Sequence, residues 1–276
     1  MRLGARDGPE RSERARSRSD YGASVWQIVE HEWLDARRFW LSVVVSGIVA
    51  PLLYVLALGI GLGTVVNKHG NSLGVPYVQF VAPAFLAAAA LQTAAASATF
   101  PVMGGFHWVK FFRGMAATPL TPRQICDGKI LWIGLRVFLS STIYFVIIAA
   151  VGGVHRWQGV FAILAATLCG LAFTTPVLAL SASVTPEGQA FNVLFRFVVT
   201  PMFLFSGTFY PISTLPGWGE AIAYISPLWH GTELCRGAAL GNLSDLSILG
   251  HVAYLVLWFV IGVGLARWRF RAKLTL

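Results

Sequence analysis

Long apolar runs with very little charge dominate this chain and restrict what it can fold into. Of its 276 residues, 56% are hydrophobic and 12% are charged, whereas a soluble globular chain is about 45–50% apolar and about 25% charged. Too few polar side chains remain to cover a surface in water, so lipid must solvate most of the fold. Because a membrane-crossing helix needs about 20 apolar residues, the sequence predicts an all-α integral membrane protein.

Six apolar stretches have the length of a membrane crossing. They are predicted at about 41–66, 77–103, 129–152, 158–183, 190–209 and 248–266, within a transmembrane domain of 41–267. Alanine dominates the second stretch, and small residues let helices approach closely, so we expect this helix inside the bundle. The segment 211–247 holds two apolar pieces that are each too short to cross. We therefore predict two short re-entrant helices before the sixth crossing.

The chain changes character twice before the first crossing. Residues 1–23 are polar and highly charged, which is typical of a disordered tail. Over 24–40, Trp26, Trp33 and Trp40 recur on one face of a helix, with polar residues opposite. A tryptophan stripe favours the boundary between lipid headgroups and water. We predict an interfacial amphipathic helix anchored by these tryptophans; the alternative is that 24–40 is only the entry to the first crossing.

The distribution of Lys and Arg predicts the orientation. Eight lie before the first crossing, four in 104–129 and four in the basic tail at the end of the chain (268–276 and Arg267), against three in the connections on the opposite side. Since cytoplasmic loops carry the excess of positive charge, both termini, the segment 104–128 and the tail 268–276 are expected in the cytoplasm. The net charge of +9 lies beside membrane segments, so it does not indicate nucleic acid binding.

A compact basic segment, 104–128, separates the second and third crossings. On a helical wheel its apolar residues cover one arc and its basic residues the other, with Phe106 the exception. The apolar arc holds Trp108, Val109, Phe111, Phe112, Met115 and Ala116, and the other arc holds His107, Lys110, Arg113 and Gly114. Prolines at 119 and 122 end the helix. We interpret the segment as a rigid helix that receives force from a partner; an interfacial anchor without a partner is the alternative.

Motifs for catalysis are nearly absent. GNSLG at 70–74 matches the nucleophile-elbow pattern GxSxG, but it lies in a short loop without the required strand and helix. HEWLD at 31–35 falls one residue short of the zinc motif HExxH. The sequence has no phosphate-binding loop, so we expect a non-catalytic chain that binds no cofactor or metal. The cysteines, Cys126, Cys169 and Cys235, show neither disulfide nor zinc spacing.

Two arginines, Arg136 and Arg196, fall within predicted crossings, where charge is expensive and usually functional. Gln189 and Asn192 share a helical face with Arg196, which predicts an intramembrane polar seam facing other helices. Snorkelling of both arginines to the cytoplasmic side is the alternative, and whether they line a substrate path stays open. The predicted crossings contain no Asp or Glu, which argues against a proton-driven transporter.

Five stretches, in this order, resemble the permease subunits of type-2 ABC exporters, in the branch similar to nodulation-factor export permeases. They are PLLYVLALGIGLG (51–63), FVAPAFLAAAALQTA (80–94), ATPLTPRQICDGKILWIGLR (117–136), FSGTFYPISTLP (205–216) and ISPLWHGTELCRG (225–237). The resemblance implies an elbow helix before the first crossing, a cytoplasmic coupling helix between the second and third, and re-entrant helices before the sixth.

The resemblance also implies partners and cargo. It implies a second permease subunit, with a homo- or heterodimer left open, and two ABC-type ATPase subunits that bind ATP and Mg²⁺, in a bacterial inner membrane. The cargo class would be a lipid-linked saccharide, a lipid or a hydrophobic drug-like molecule, moved outward; the identity of the cargo is left open. A secondary transporter, or a membrane scaffold or enzyme without transport, is the alternative.

Two sets of residues follow from this interpretation. The residues expected at the ATPase contact are Lys110, Phe111, Phe112, Arg113 and Met115, with the face that meets the ATPase undecided. Those expected at an outer gate are Trp218, Tyr224, Trp229, Glu233 and Arg236.

Overall fold

The backbone of the described residues forms its hydrogen bonds mainly within helices, as apolar sequences must where lipid offers no partner. The computed structural model describes residues 8–37, five positions between 53 and 64, 74–150, 152–154, 157–185, 187–241 and 244–275, with side chains from residue 21 onward. These parts are helical and contain no strand. The predicted first crossing, 41–66, and Trp40 lie outside the described residues, apart from those five positions.

From α2 onward, the described helices follow one another with short connections. In chain order they are α1 (Gly8–Ala36), α2 (Tyr77–Ala98), α3 (Phe100–His107), α4 (Phe111–Ala116), α5 (Pro122–Ala150), a 3₁₀ turn (Trp157–Val160), α6 (Phe161–Ser181), α7 (Gln189–Leu194), a π-helical turn (Phe195–Val199), α8 (Thr200–Phe205), a 3₁₀ turn (Ile212–Thr214), α9 (Gly217–Ile225), α10 (Pro227–Leu240) and α11 (Asp245–Leu274).

Among the described residues, four helical stretches are long and apolar enough to cross a membrane. They are Tyr77–His107, Pro122–Ala150, Trp157–Ser181 and Asp245–Leu274, and they correspond to the second, third, fourth and sixth predicted crossings. The predicted fifth crossing corresponds to a shorter apolar stretch, Gln189–Phe205. A π-helical turn interrupts its α-helix just before Pro201. Proline has no N–H to donate, and its ring clashes with the carbonyl one α-helical turn earlier. The hydroxyl of Thr200 bonds the Phe195 carbonyl at 2.8 Å across this turn.

The alanine-rich helix α2 forms the centre of the bundle, as its small residues predict. It packs against α5, α6 and α10, and most of its side chains are buried. A Cβ at Gly170 of α6 would lie 3.2 Å from the carbonyl oxygen of Ala90. Backbones this close are possible only where both helices carry small residues.

Two predicted segments at the ends of the chain are more helical than the sequence suggested. The tail predicted as disordered, 1–23, is helical from Gly8 onward, and the interfacial helix is therefore part of a longer helix. Glu10 and Arg14 are four residues apart, a spacing at which opposite charges are neighbours on a helix surface. Such pairs stabilise a helix exposed to water. The basic tail 268–276 continues α11 as far as Leu274, with Arg271 and Lys273 in the last turn, where cations stabilise the helix dipole.

The packing of α11 on α6 yields a prediction. A Cβ added at Gly262 would lie 2.2 Å from Oγ1 of Thr175 and 2.7 Å from Cδ of Pro176. Overpacking of this kind costs about 1–3 kcal/mol, so Gly262→Ala should lower the thermal unfolding midpoint of the purified protein. Gly264→Ala in the same helix meets nothing within 4 Å and should be neutral or stabilising. Equal midpoints for the two variants would contradict the tight α6–α11 contact.

Candidate functional sites at the two ends of the bundle

The bundle has two chemically different ends. We call the end where α3, α4 and the last turns of α11 meet the basic end, and the end that holds α9 and α10 the far end. Charged side chains at the basic end join the helices to one another and leave a small exposed basic surface. At the far end, a buried arginine and several aromatic rings surround a cavity.

The chain reverses direction at the basic end between α3 and α4. α3 ends at His107, and Lys110 adopts a left-handed conformation with φ 58° before α4 begins. The reversal lays two rings over Gly105: a Cβ there would lie 2.3 Å from Phe111 and 2.6 Å from Phe112. Glycine is thus required for this close approach. The prediction of one rigid helix in this segment is wrong, because the chain forms two helices that reverse direction at Lys110.

A cluster of four phenylalanines, which we call the aromatic platform, supports α4. Phe106 of α3, Phe111 and Phe112 of α4, and Phe270 of α11 form it. The ring centroids of Phe112 lie 4.6 Å from Phe106 and 5.5 Å from Phe270, and those of Phe106 and Phe270 are 5.0 Å apart. Phe111 stacks on His31 of α1, with centroids 6.2 Å apart. Through these rings α4 contacts α1, α3 and α11 at once.

Partly buried ion pairs tie α1, α5 and α11 together beside the platform. Arg267 of α11 donates two hydrogen bonds to Asp127 of α5, both at 2.7 Å, and the hydroxyl of Tyr21 donates to the same carboxylate at 2.5 Å. Lys129 of α5 bonds Glu32 of α1 at 2.6 Å. Burial and the Asp127 carboxylate together raise the pKa of Tyr21 to about 12, so its hydroxyl stays a donor.

At the far end, Arg236 is the most connected side chain. It is 6% exposed, and it donates to the carbonyl oxygens of Phe80 at 3.2 Å and Gly207 at 2.8 Å. Its third bond goes to Glu233 at 2.5 Å, and its guanidinium lies 3.8 Å above the ring of Phe80. Burial lowers the pKa of Arg236, against the stabilising charge of Glu233. Arg236 therefore fixes α10 to α2 and to the connection after α8.

A cavity of about 400 Å³ opens beside Arg236. Its walls come from the start of α2, the 3₁₀ turn Ile212–Thr214 and the helices α9 and α10. The lining residues are Val75, Phe80, Pro211, Ile212, Ser213, Glu220, Tyr224, Trp229, Glu233, Arg236 and Leu240. The cavity thus combines aromatic rings with three charged groups.

Two histidines link the hairpin of α9 and α10 to α11. Nε2 of His230 lies 3.0 Å from the Tyr224 carbonyl, and its Nδ1 lies 2.8 Å from Nδ1 of His251. A carbonyl only accepts, so Nε2 of a neutral His230 carries the proton. Nδ1 of His230 then accepts from the Nδ1–H of His251. Tyr254 stacks on His230 with ring centroids 3.8 Å apart. We call this pair the histidine clamp.

A comparison with protein families assigns the chain. The family model described as "ABC-2 type transporter" matches residues 23–240, which is most of the chain.

The chain belongs to the ABC-2 type transporter family.

Curated relatives agree with this ABC-2 type assignment. Nodulation protein J of Rhizobium leguminosarum bv. viciae is 27% identical over 238 residues, 86% of this chain and 89% of that protein. Nodulation protein J of Sinorhizobium fredii is 28% identical over 251 residues, 89% of this chain and 92% of that protein. Inner membrane transport permease YadH of Escherichia coli is 24% identical over 247 residues, 86% and 89% of the two chains. The chain is thus a multi-pass membrane permease, and the predicted resemblance is confirmed.

The structure sorts the residues predicted at the ATPase contact of this ABC-2 permease. Lys110 and Arg113 are exposed, and Phe111 and Met115 are half-buried. Phe112 is fully buried in the aromatic platform, so its side chain is covered within the subunit. Because the helix is broken, Trp108 and Val109 are 59% and 75% exposed instead of lying on the same face as Phe112. Phe106, the exception on the helical wheel, is buried.

The predicted interfacial anchors are oriented outward where they are described. Trp26 and Trp33 are more than half exposed, and Trp33 contacts Trp132 of α5 edge-on, with centroids 6.3 Å apart. Ile28 and Val29 form the buried face of α1. The face of α1 that meets the bundle therefore consists of these two aliphatic residues together with Tyr21 and Glu32. Trp26 and Trp33 lie on the outside of the subunit.

The predicted polar seam is divided between two places. Gln189, Asn192 and Arg196 are exposed on the α7–α8 surface, so they do not face the other described helices of this chain. Arg136 is half-buried on α5 and interacts electrostatically with Glu32 of α1. The four residues do not form one seam within the described subunit.

Four of the five residues predicted at the outer gate line the cavity. Tyr224, Trp229, Glu233 and Arg236 converge there. Trp218 is exposed instead and packs edge-on against Phe205, with centroids 5.9 Å apart. Six further residues at these sites were not predicted from the sequence: Glu220, His230 and His251 at the far end, and Asp127, Tyr21 and Arg267 at the basic end. The proximity of Asp127 and Lys129 to the start of an apolar run was the available signal for the ion pairs.

The ion pairs at the basic end yield a prediction. Replacing the carboxylate in Asp127→Asn leaves Arg267 without its bidentate partner, which should cost about 1–3 kcal/mol. The neighbouring Cys126 is fully buried, so the variant should speed its labelling by a membrane-permeant maleimide at least several-fold. Asp245→Asn, at the exposed start of α11, is the control and should leave labelling unchanged. Identical labelling rates in both variants would show that Asp127 does not hold this junction.

The histidine clamp yields a pH prediction. Burial lowers the pKa of His230 from 6.5 to about 4, so the clamped form binds fewer protons than the opened form. The clamp is therefore unaffected above pH 6.5 and is destabilised progressively as the pH falls from 6.5 towards 4. Trp229 touches both rings, with centroids 4.7 and 4.9 Å away, so its fluorescence should change over this range.

His230→Phe keeps a flat ring but cannot titrate, and it should abolish the fluorescence change. His31→Phe, in α1 at the basic end, is the control and should retain it. A transition that persists in His230→Phe would assign the change to other groups.

Proposed function

We propose that this permease is the transmembrane subunit of an ATP-driven exporter, in which a separate ABC-type ATPase binds ATP and Mg²⁺. The observation that carries the proposal is the surface formed by Trp108, Val109, Lys110 and Arg113, which is exposed although its supporting residues are buried. This coupling surface combines two apolar and two basic side chains. Such a combination suits a partner groove with an apolar floor and an acidic rim.

The support beneath the coupling surface suits the transmission of force. Phe112 lies directly behind it, 0% exposed, between α3 and α11. Interiors packed this densely have low compressibility and transmit strain. A partner that displaces α4 would therefore displace Phe270 of α11 and His31 of α1, which contact the same aromatic platform.

We place the basic end in the cytoplasm, together with both termini, in a bacterial inner membrane. The charge count supports this orientation, because the coupling surface, the start of α5 and the last turns of α11 carry basic residues. The far end, with the cavity and the histidine clamp, then faces outward. Trp26 and Trp33 would hold α1 at the headgroup boundary.

We further propose that a second permease subunit covers the α7–α8 surface, and that two ATPase subunits dock on the two coupling surfaces. Val193 and Phe197 are 57% and 73% exposed there, beside Asn192 and Arg196. A surface that mixes large apolar side chains with hydrogen-bonding groups is suited both to a partner subunit and to an amphipathic cargo. The cargo class proposed is a lipid-linked saccharide, a lipid or a hydrophobic drug-like molecule.

Charge reversal tests the proposal. The tagged chain is purified in mild detergent from membranes of the cell that produces it naturally, and vanadate-sensitive ATP hydrolysis in the preparation is measured. Like-charge contacts at an interface cost several kcal/mol, and about 1.4 kcal/mol corresponds to a factor of ten. Lys110→Glu with Arg113→Glu should therefore reduce the copurifying activity at least tenfold.

The matched control is Arg271→Glu, which reverses an exposed charge at the same end of the bundle but on α11, and it should retain the activity. Both variants should remain folded, because none of the three positions is buried; the only expected shift in the unfolding midpoint is a small one in Arg271→Glu, from the lost helix-dipole contact of about 0.3–1 kcal/mol. Unchanged ATPase copurification in the double variant would contradict the coupling surface, and ATPase activity absent from the natural chain would contradict the exporter.

A further inference from the structure

The cavity at the far end has the size and the walls of a small-molecule site. Its volume of about 400 Å³ falls within the range of about 300–1,000 Å³ typical of such sites. Three charged side chains line it: Glu220, Glu233 and Arg236. Their arrangement decides which kind of ligand the cavity can hold.

Arg236 cannot serve as an anion receptor. It is 6% exposed, and Nε, Nη1 and Nη2 each bond an oxygen of Phe80, Glu233 or Gly207. Its charge is already balanced by Glu233, which it contacts at 2.5 Å. An incoming phosphate or carboxylate would have to displace these partners. The pair therefore contributes no net charge to the cavity.

Glu220 is the unbalanced charge. Its carboxylate accepts a hydrogen bond from the hydroxyl of Tyr224 at 3.0 Å, and within the described parts of the chain it has no ion-pair partner. With Glu233 and Arg236 neutralising each other, the described charges of the cavity sum to −1. A carboxylate at the wall of a partly enclosed cavity attracts cations more strongly than one in open water.

The remaining walls favour the same kind of ligand. The rings of Tyr224 and Trp229 stand at 90° with centroids 4.7 Å apart, and both line the cavity. Aromatic faces attract ammonium and guanidinium groups through their quadrupole. Phe80, on the same wall, already binds a cation in this way, since the guanidinium of Arg236 lies 3.8 Å above its ring.

We propose that this cavity binds an organic ammonium group, held between the carboxylate of Glu220 and the aromatic corner of Tyr224 and Trp229. The group could belong to the headgroup of a membrane lipid or to the transported molecule, since both present the same chemistry. The assignment concerns binding alone, so it stands or falls separately from the coupling of α4 to an ATPase.

Three probes with one ring and different charge test the assignment: benzylammonium, benzyl alcohol and benzoate. The full chain is placed in nanodiscs made only of phosphatidylglycerol, which carries no ammonium group, and binding is measured by calorimetry with empty nanodiscs subtracted. Benzylammonium should bind at least about tenfold more tightly than benzyl alcohol, and benzoate should bind most weakly.

Glu220→Gln keeps the size of the side chain and removes its charge, so benzylammonium should then bind within about twofold of benzyl alcohol. Glu30→Gln removes an exposed carboxylate from α1 and is the matched control, with the tenfold preference retained. Tyr224→Leu, which removes the aromatic wall but not the carboxylate, should weaken benzylammonium binding several-fold and keep its rank above benzoate. Unfolding midpoints confirm that each variant is folded.

Equal affinity for the three probes, or an undiminished preference for benzylammonium in Glu220→Gln, would overturn the assignment. A second set of nanodiscs, containing phosphatidylethanolamine, identifies the source of the natural ligand. Weaker benzylammonium binding in these nanodiscs would mean that the lipid headgroup occupies the site. Unchanged binding would assign the site to a cationic molecule that arrives from outside the lipid.

Discussion

The structure depends on one constraint: inside lipid, every backbone carbonyl and N–H needs a partner from the protein itself. Regular helices meet this requirement, and at several interruptions a side-chain hydroxyl bonds a backbone carbonyl. Thr99, at the break between α2 and α3, bonds the Ala95 carbonyl at 2.9 Å, and Ser181, at the end of α6, bonds the Ala98 carbonyl at 2.6 Å. At these two breaks, therefore, a hydroxyl of the same chain supplies a carbonyl with a hydrogen bond that lipid could not provide.

The basic end shows how this fold accommodates charge. Asp127, Lys129 and Glu32 are buried or nearly so, and each has an oppositely charged partner. Removing one member of a buried ion pair destabilises the fold strongly, because the other charge is left unpaired. Replacing both members with apolar residues of similar size changes the stability much less. Such pairs therefore specify which helices meet, here α1, α5 and α11, more than they add stability.

How much of this could be predicted from the sequence depends on whether the signal is local. The apolar stretches at 77–103 and 129–152 are helices because length and composition act within each segment, although α5 begins seven residues before the predicted boundary. The position of Asp127 at the start of an apolar run indicates that it needs a partner, but nothing local identifies Arg267, 140 residues away, as that partner. The chain reversal at Lys110 was missed for a related reason, since it follows from the packing of Phe111 and Phe112 on Gly105. Tyr224, Trp229, Glu233 and Arg236 were predicted at an outer gate because the segment holds two apolar pieces too short to cross; the cavity that they line was not predicted, since one of its walls comes from the start of α2, far away in the chain.

The two ends of the bundle are joined by one uninterrupted helix. α11 carries Phe270 and Arg267 at the basic end and His251 and Tyr254 at the far end. Its 30 residues span about 45 Å at 1.5 Å per residue, and Thr175 of α6 bonds its Phe259 carbonyl at 3.3 Å near the middle. The α7–α8 stretch, by contrast, is broken by its π-helical turn. In the proposed exporter, a displacement of α4 would therefore reach the hairpin of α9 and α10 most directly along α11, whose histidine clamp is the last contact on that path.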